Sequence, residues 1–396
     1  MTVVISGVRL IDGVAEAART GVDVVIEGDQ IAAIEPHDPA RGTGGDDEVV
    51  DGAGRTLLAG LIDCHSHYPI DPTVEDGFAT FRNDADTTVI LRAAGMARRA
   101  LESGVTTTRS AGSPRNFDVV LRDAIEAGHV PGPRILAAGP ALTITGGHGW
   151  LFGREADGEF EFRRAVRANV RDGADVIKVV SSEAAMLTTA VAGVEEMTEG
   201  EIRAAVEEAA RLRRRVFSHA QGSEAVVRSA RAGVASVEHA FLADDAALEA
   251  LAESGAFLVP TLAVTDVWHQ LEGLTPAARA RQDVIEGYHR RSIETAIGLG
   301  IRTATGTDCG VRGVMPDMVA REVRLLHEHG RSAMDAIRSA TAWAAELIGL
   351  ENEIGTVEVG KRADCLLVDG DPLADLRRLE QVRVVIKSGT IVHRSG

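Results

Sequence analysis

Between residues 60 and 352 short apolar runs alternate with amphipathic stretches, and this rhythm restricts the chain to an α/β fold with a largely parallel sheet. The expected strands are Leu61–His65, Val105–Arg109, Arg134–Ala138, Val176–Val180, Val216–His219, Ser236–His239, Phe257–Pro260 and Arg302–Thr307. Helical periodicity falls between them over Val89–Ser103, Asn116–Ala127, Glu159–Gly173, Glu199–Arg213, Glu224–Ala232 and Asp245–Ser254. Eight such units fit a (β/α)8 TIM barrel, whose usual length is about 250 residues. A doubly wound open sheet competes, but no G-x-G-x-x-G follows the first strand.

The two ends of the chain read differently. Val3–Ser6, Val22–Glu27 and Ile31–Ile34 alternate like strands around a Gly28-Asp29 turn, and a polar, Gly-rich loop runs from His37 to Glu48. Asp364–Val368, Val382–Lys387 and Thr390–His393 repeat the style at the other end. The expected organisation is a small β-sandwich domain from residues 1–59 plus 353–396, enclosing a barrel of residues 60–352.

Composition narrows the class. The 396 residues are 45% hydrophobic and 26% charged, as in globular proteins, with aromatics at only 4%. Few aromatics and a net charge of −17 argue against nucleic-acid or anionic-membrane partners. Cys64, Cys309 and Cys365 are far apart and form no C-x-x-C, so neither a disulfide framework nor a thiolate zinc site is expected. There is no apolar run of the ~18 residues a membrane span needs. The first residues lack the charged-then-apolar layout of a signal peptide, so a cytoplasmic protein, expected to form a homo-oligomer, is the default.

The chemistry is concentrated at the predicted strand ends, where barrel enzymes carry their active groups. Leu58-Ala-Gly-Leu-Ile-Asp-Cys-His-Ser-His67 closes an apolar strand with two histidines. On a strand His65 and His67 point the same way, whereas residues two apart on a helix diverge by roughly 200°. His327 and His329 repeat the spacing in a helical context and read as a helix C-terminus. Lys178 sits inside the apolar run Asp-Val-Ile-Lys-Val-Val; His219, His239 and Asp308 close further strands. Four imidazoles, one carboxylate and one buried amine in the same register point to a metal site. An uncompensated cation beside divalent ions is costly, so Lys178 must be neutral, paired with an acid, or carboxylated by CO2.

These residues resemble the amidohydrolase superfamily over nearly the whole chain. The resemblance rests on Gly60-Leu-Ile-Asp-Cys-His-Ser-His67, Lys178, His219, His239, Asp308 and the C-terminal Gly355-Thr-Val-Glu-Val-Gly-Lys-Arg-Ala-Asp364. Val130-Pro-Gly-Pro-Arg134 and Thr145-Gly-Gly-His-Gly149 are similar to the branch of imidazolonepropionase-related hydrolases, Xaa-Pro dipeptidase-like proteins and zinc carboxypeptidases. The resemblance implies two divalent ions, usually zinc. His65, His67 and Asp308 would bind one, His219 and His239 the other, with carboxylated Lys178 and a hydroxide bridging them; some members hold a single ion. It also implies that Asp308 shuttles the proton and that His148 touches the substrate carbonyl.

The expected reaction is hydrolysis of an amide-type C–N bond in a small molecule, an N-acyl amino acid or a dipeptide. Arg109 either pairs with a substrate carboxylate or anchors structure. Cys64 and Cys309 are expected to face away from the ligands. The loops Tyr68–Asp84, Ser181–Thr198 and Thr261–Glu286 are candidate specificity elements, with Trp268 and His269 either pocket wall or parts of a packed loop. Carboxypeptidase-like relatives commonly carry a tyrosine two residues after the strand-end histidine. Here that substrate-binding position is Gln221, so a cyclic amide, carbamate or urea competes as substrate. A catalytically silent barrel is a third reading, opposed by the intact ligand set.

Overall fold

The computed structural model describes residues 2–39, 47–184 and 193–395. Part of the expected His37–Glu48 loop and part of the Ser181–Thr198 loop lie outside the described residues. The chain opens with β1 (Thr2–Ile11), β2 (Arg19–Glu27), β3 (Gln30–Pro36), β4 (Glu48–Asp51) and β5 (Arg55–Ala59). In β2, Val24 and Ile26 are buried while Val25 is only half-buried, the alternation of a one-sided strand.

The middle of the chain carries β6 (Leu61–Ser66), β7 (Val105–Ser110), β8 (Arg134–Leu136), β9 (Leu142–Thr143), β10 (Arg154–Glu155), β11 (Ile177–Val180), β12 (Val216–Gly222), β13 (Ser236–Leu242) and β14 (Phe257–Val259). They form two parallel sheets, ordered β6-β7-β8 and β10-β9-β11-β12-β13-β14. Every residue of β6, β7, β11 and β12 is buried, as expected of parallel strands covered on both faces. The covering helices bury one stripe each: the helix Asp86–Glu102 turns Val89, Ala93, Met96, Ala97 and Ala100 inward. Thr198 and Glu201 close a capping box that starts the helix Glu199–Arg211.

No regular strand forms at the expected Arg302–Thr307. The segment instead makes single backbone bonds on both sides. Ala304 N–H donates to Leu258 at 3.0 Å, while Cys64 N–H donates to Thr305 at 2.8 Å and Asp308 N–H to His65 at 2.8 Å. It therefore ties β14 to β6. The ladder is interrupted because Ser339 and Ala340 accept the N–H groups of Thr305 and Ile62 instead.

Strands β15 (Cys365–Asp369), β16 (Val382–Lys387) and β17 (Thr390–Arg394) complete the terminal sheet, ordered β17-β16-β15-β5-β1-β2-β3, with β4 also on β1. β15 pairs antiparallel with β5, Leu366 opposite Leu58. The sheet folds back on itself: Arg394 of β17 pairs with Glu48 of β4, and the turn at Gly389 abuts Gly28. A Cβ on Gly389 would lie 1.8 Å from the Gly28 carbonyl oxygen, so only glycine fits there. Val3, Ile5, Leu10, Ile26, Leu57, Leu367 and Ile386 form this sheet's own core. Among the described residues no helix is long and apolar enough to cross a membrane.

Two expectations about the third long loop are corrected. Thr261–Glu286 is mostly helical, with Leu262–Val267 and a long helix Pro276–Gly298 that starts on a Thr275 cap and Pro276. Trp268 is buried edge-on against Phe241 at 6.4 Å, and His269 is exposed beside Glu286, so neither lines the cavity below. The second H-x-H pair behaves as expected: His327 lies in the last turn of the helix Val319–Glu328, and His329 is its C-cap.

Candidate metal centre

β6 ends with both imidazoles on one side. His65 Nε2 and His67 Nε2 lie 3.3 and 3.4 Å from Asp308 Oδ1, and all three residues are buried. Asp63 locks this corner, accepting from the backbone N–H of His65 and of Thr307, each at 3.0 Å, and from the Thr307 hydroxyl at 2.6 Å. Asp308 itself has φ +59°, a left-handed conformation tolerated by aspartate at a functional turn.

The other histidines complete a ring around the same point. The His239 ring lies 4.9 Å from that of His65 and 4.5 Å from that of His219, and His148 lies 4.7 Å from His219. Lys178, from β11, reaches the same cavity. That cavity holds about 530 Å³ and is lined by His65, His67, His148, Lys178, His219, Gln221, His239 and Asp308. Phe78, Phe152, Phe241 and Val264 give it apolar walls, and Arg312 lines its edge. The sequence-derived site residues thus converge, with one exception.

Arg109 does not line the cavity. Its guanidinium is buried over the Phe217 ring, donating to both oxygens of Glu238 at 3.0 and 3.1 Å, to Ser236 Oγ at 3.1 Å and to the Cys64 carbonyl at 2.7 Å. The expectation of a substrate carboxylate partner is corrected to that of an anchor. Cys64 and Cys309 are buried free thiols that do not line the cavity.

Groups that the sequence reading missed hold the ligand rings. Glu238 Oε2 lies 2.7 Å from His65 Nδ1, the Gly112 carbonyl 3.2 Å from His67 Nδ1, and the Thr261 hydroxyl 2.8 Å from His239 Nδ1. Glu196 accepts the His148 backbone N–H through both oxygens, at 2.8 and 2.9 Å. A second charge-bearing residue beside His239 in the predicted strand Ser236–His239 was the available signal for Glu238.

The electrostatics suit a cation site. Burial, reinforced by neighbouring cations, holds His219 and His239 well below the usual histidine range, so both are neutral imidazoles with a free lone pair. Burial likewise lowers the Lys178 amine to about 8, despite the opposing pull of Glu238 and Asp308. For Asp308, burial alone would raise the carboxyl; His65 and His67 overcome it and keep it ionised. Among the described residues Lys178 Nζ and His219 Nε2 are buried without a hydrogen-bond partner. Uncompensated buried polar atoms are costly, and a bound metal ion would satisfy the His219 lone pair. The donor set therefore fits divalent ions.

A His-His-Asp cluster able to hold a metal ion faces further histidines across an apolar-walled cavity, an arrangement suited to metal-assisted hydrolysis. The amidohydrolase family matches residues 56–392, and the chain belongs to it. Ochratoxinase of Aspergillus niger is 29% identical over 361 residues, covering 83% of this chain and 73% of its own length. Imidazolonepropionase of Geobacillus sp. (strain WCH70) is 26% identical over 375 residues, covering 88% and 84%. The crystal structure of a Xaa-Pro dipeptidase with methionine bound in its active site superposes with a TM-score of 0.89 at 29% identity, over 100% of both chains. The chain is a hydrolase of amide C–N bonds.

Proposed function

We propose that the chain cleaves an amide-type C–N bond in a small N-acyl amino acid or dipeptide-like molecule. The single observation that carries this is the convergence of His65, His67, Lys178, His219, His239 and Asp308 on one cavity of about 530 Å³, a volume suited to such a substrate. In this reading His65, His67 and Asp308 would hold one zinc ion and His219 and His239 a second, with Lys178, once carboxylated, as a further ligand. When bound, such ions would supply Lewis acidity toward a carbonyl and lower the pKa of a water to about 7.

The chain's own groups do the rest. Asp308 accepts the proton released when water adds to the substrate carbonyl and delivers it to the departing nitrogen, which would otherwise leave as a strongly basic amide anion. His148, held by Glu196 at the mouth, donates to the substrate carbonyl. The phenylalanine walls exclude water and accept an apolar side chain.

Two features favour a second reading, a neutral cyclic amide, carbamate or urea as substrate. Gln221 stands uncharged in the cavity lining, and Arg109 is committed to Glu238. We further infer that the two parallel sheets are arcs of one (β/α)8 barrel over residues 60–352, closed through residues 302–308. Residues 1–59 and 353–396 would then make the folded-back β-sandwich.

The test is a hydrolysis screen of N-acyl amino acids, dipeptides, lactams, carbamates and ureas with zinc-loaded protein. Turnover of the first two groups supports the leading reading, and turnover confined to the last three supports the second. A protein that binds no zinc and cleaves none of them would contradict both.

A further inference from the structure

We propose that Thr261 and Glu322 form a positioning pair that fixes the ring of His239; the inference rests on His239 being a metal ligand, as read above. Thr261 follows β14 and is fully buried with φ +54°, a conformation that β-branched residues adopt only where their surroundings hold them. Its hydroxyl lies 2.8 Å from His239 Nδ1. Accepting the Nδ1 proton there leaves the Nε2 lone pair for the cavity, and the partner of a ligating histidine's second nitrogen sets ring orientation and basicity.

What holds Thr261 in place comes from a distant part of the chain. Glu322, on the helix Val319–Glu328, is fully buried and forms no ion pair among the described residues. Its Oε1 accepts the N–H of Leu262 at 2.8 Å and its Oε2 the N–H of Ala263 at 2.7 Å. Both donors are first-turn N–H groups without an intrahelical acceptor in the helix Leu262–Val267, so the Glu322 carboxyl group pins the turn that carries Thr261. The same short helix presents Val264 to the cavity wall. Glu322 has no part in bond cleavage; its effect on the site passes through residues 261–264.

The experiment is chelator competition for zinc on the intact protein, comparing wild type, Thr261→Val, Thr261→Ser, Glu322→Gln and the double variant Thr261→Val/Glu322→Gln. Valine keeps the size and branching of threonine and removes only the hydroxyl, so its effect does not hinge on refolding. Thr261→Val is expected to weaken one zinc per chain by about 10–100-fold, the usual cost of losing such a partner. Thr261→Ser, which keeps the hydroxyl, restores affinity to within about threefold of wild type. Glu322→Gln weakens binding in the same direction. The double variant is no weaker than Thr261→Val alone, because both act by one route. Wild-type affinity in Thr261→Val, or strictly additive losses in the double variant, overturns the pair while leaving the metal site standing. A wild-type protein that takes up no zinc removes the site and the pair together.

Discussion

Asp308→Asn separates the chemistry of the site from its architecture. Asparagine is isosteric, keeps an oxygen able to face His65 and His67 at 3.3 and 3.4 Å, and tolerates the left-handed φ of +59° found here. Neither backbone strain nor a cavity follows, so the thermal midpoint and most of the bound zinc are expected to survive. What disappears is proton transfer: an amide oxygen cannot take the proton of the attacking water or return it to the leaving nitrogen. General acid–base groups contribute roughly 10²–10⁴-fold. At about 1.4 kcal/mol per decade this is about 3–5 kcal/mol of transition-state stabilisation. The assay is kcat/KM on the best substrate from the screen, with zinc content measured on the same preparation. A variant within tenfold of wild type at equal zinc content would refute the shuttle role.

Lys178→Ala is expected to lose zinc and turnover together, and millimolar formate or acetate should restore part of both by occupying the vacated space. Unchanged zinc content in the variant would count against a bridging lysine. Arg109→Met leaves Glu238 ionised and buried without its partner, at a cost of about 3–5 kcal/mol in denaturant titrations. Because Arg109 does not line the cavity, KM for anionic and neutral substrates should change alike; a selective rise for anionic ones would return Arg109 to substrate binding. His289 is buried with its ring 4.2 Å from that of Phe241, and burial lowers its pKa from 6.5 to about 3. The unfolded chain therefore takes up that proton first, so His289 contributes fully above pH 6.5 and its contribution fades as pH falls toward 3. His289→Gln should flatten the acid limb of stability against pH, and equal slopes in both proteins would argue otherwise.

The candidate ligands were legible because each interrupts or follows the end of a predicted strand. His65 and His67 at the end of β6, and Lys178 between buried aliphatics of β11, are chemically conspicuous wherever the fold puts them. Of the groups that orient these residues, only Glu238 carried a signal in the sequence. Thr261 is an ordinary threonine after a short strand, and only its positive φ brings its hydroxyl under His239. Alternation would turn Glu238 and His239 to opposite faces, but left-handed φ values at His239 (+73°) and Ala240 (+52°) break the pleat there. Arg109 stayed undecided for a related reason, since a strand-end arginine looks alike whether it faces a substrate or a buried carboxylate. The Arg302–Thr307 run carries strand composition, yet the carbonyls of Ser339 and Ala340 capture N–H groups that a continuous ladder would use.

The most direct measurement is a crystal structure of the zinc-loaded protein with anomalous data at the zinc edge. Two peaks are predicted, one among His65, His67 and Asp308 and one beside His219 and His239, with density for a carboxylated Lys178 reaching both. Zinc confined to surface groups such as His269 and Glu286, with the cavity free of metal and Lys178 unmodified, would contradict the account.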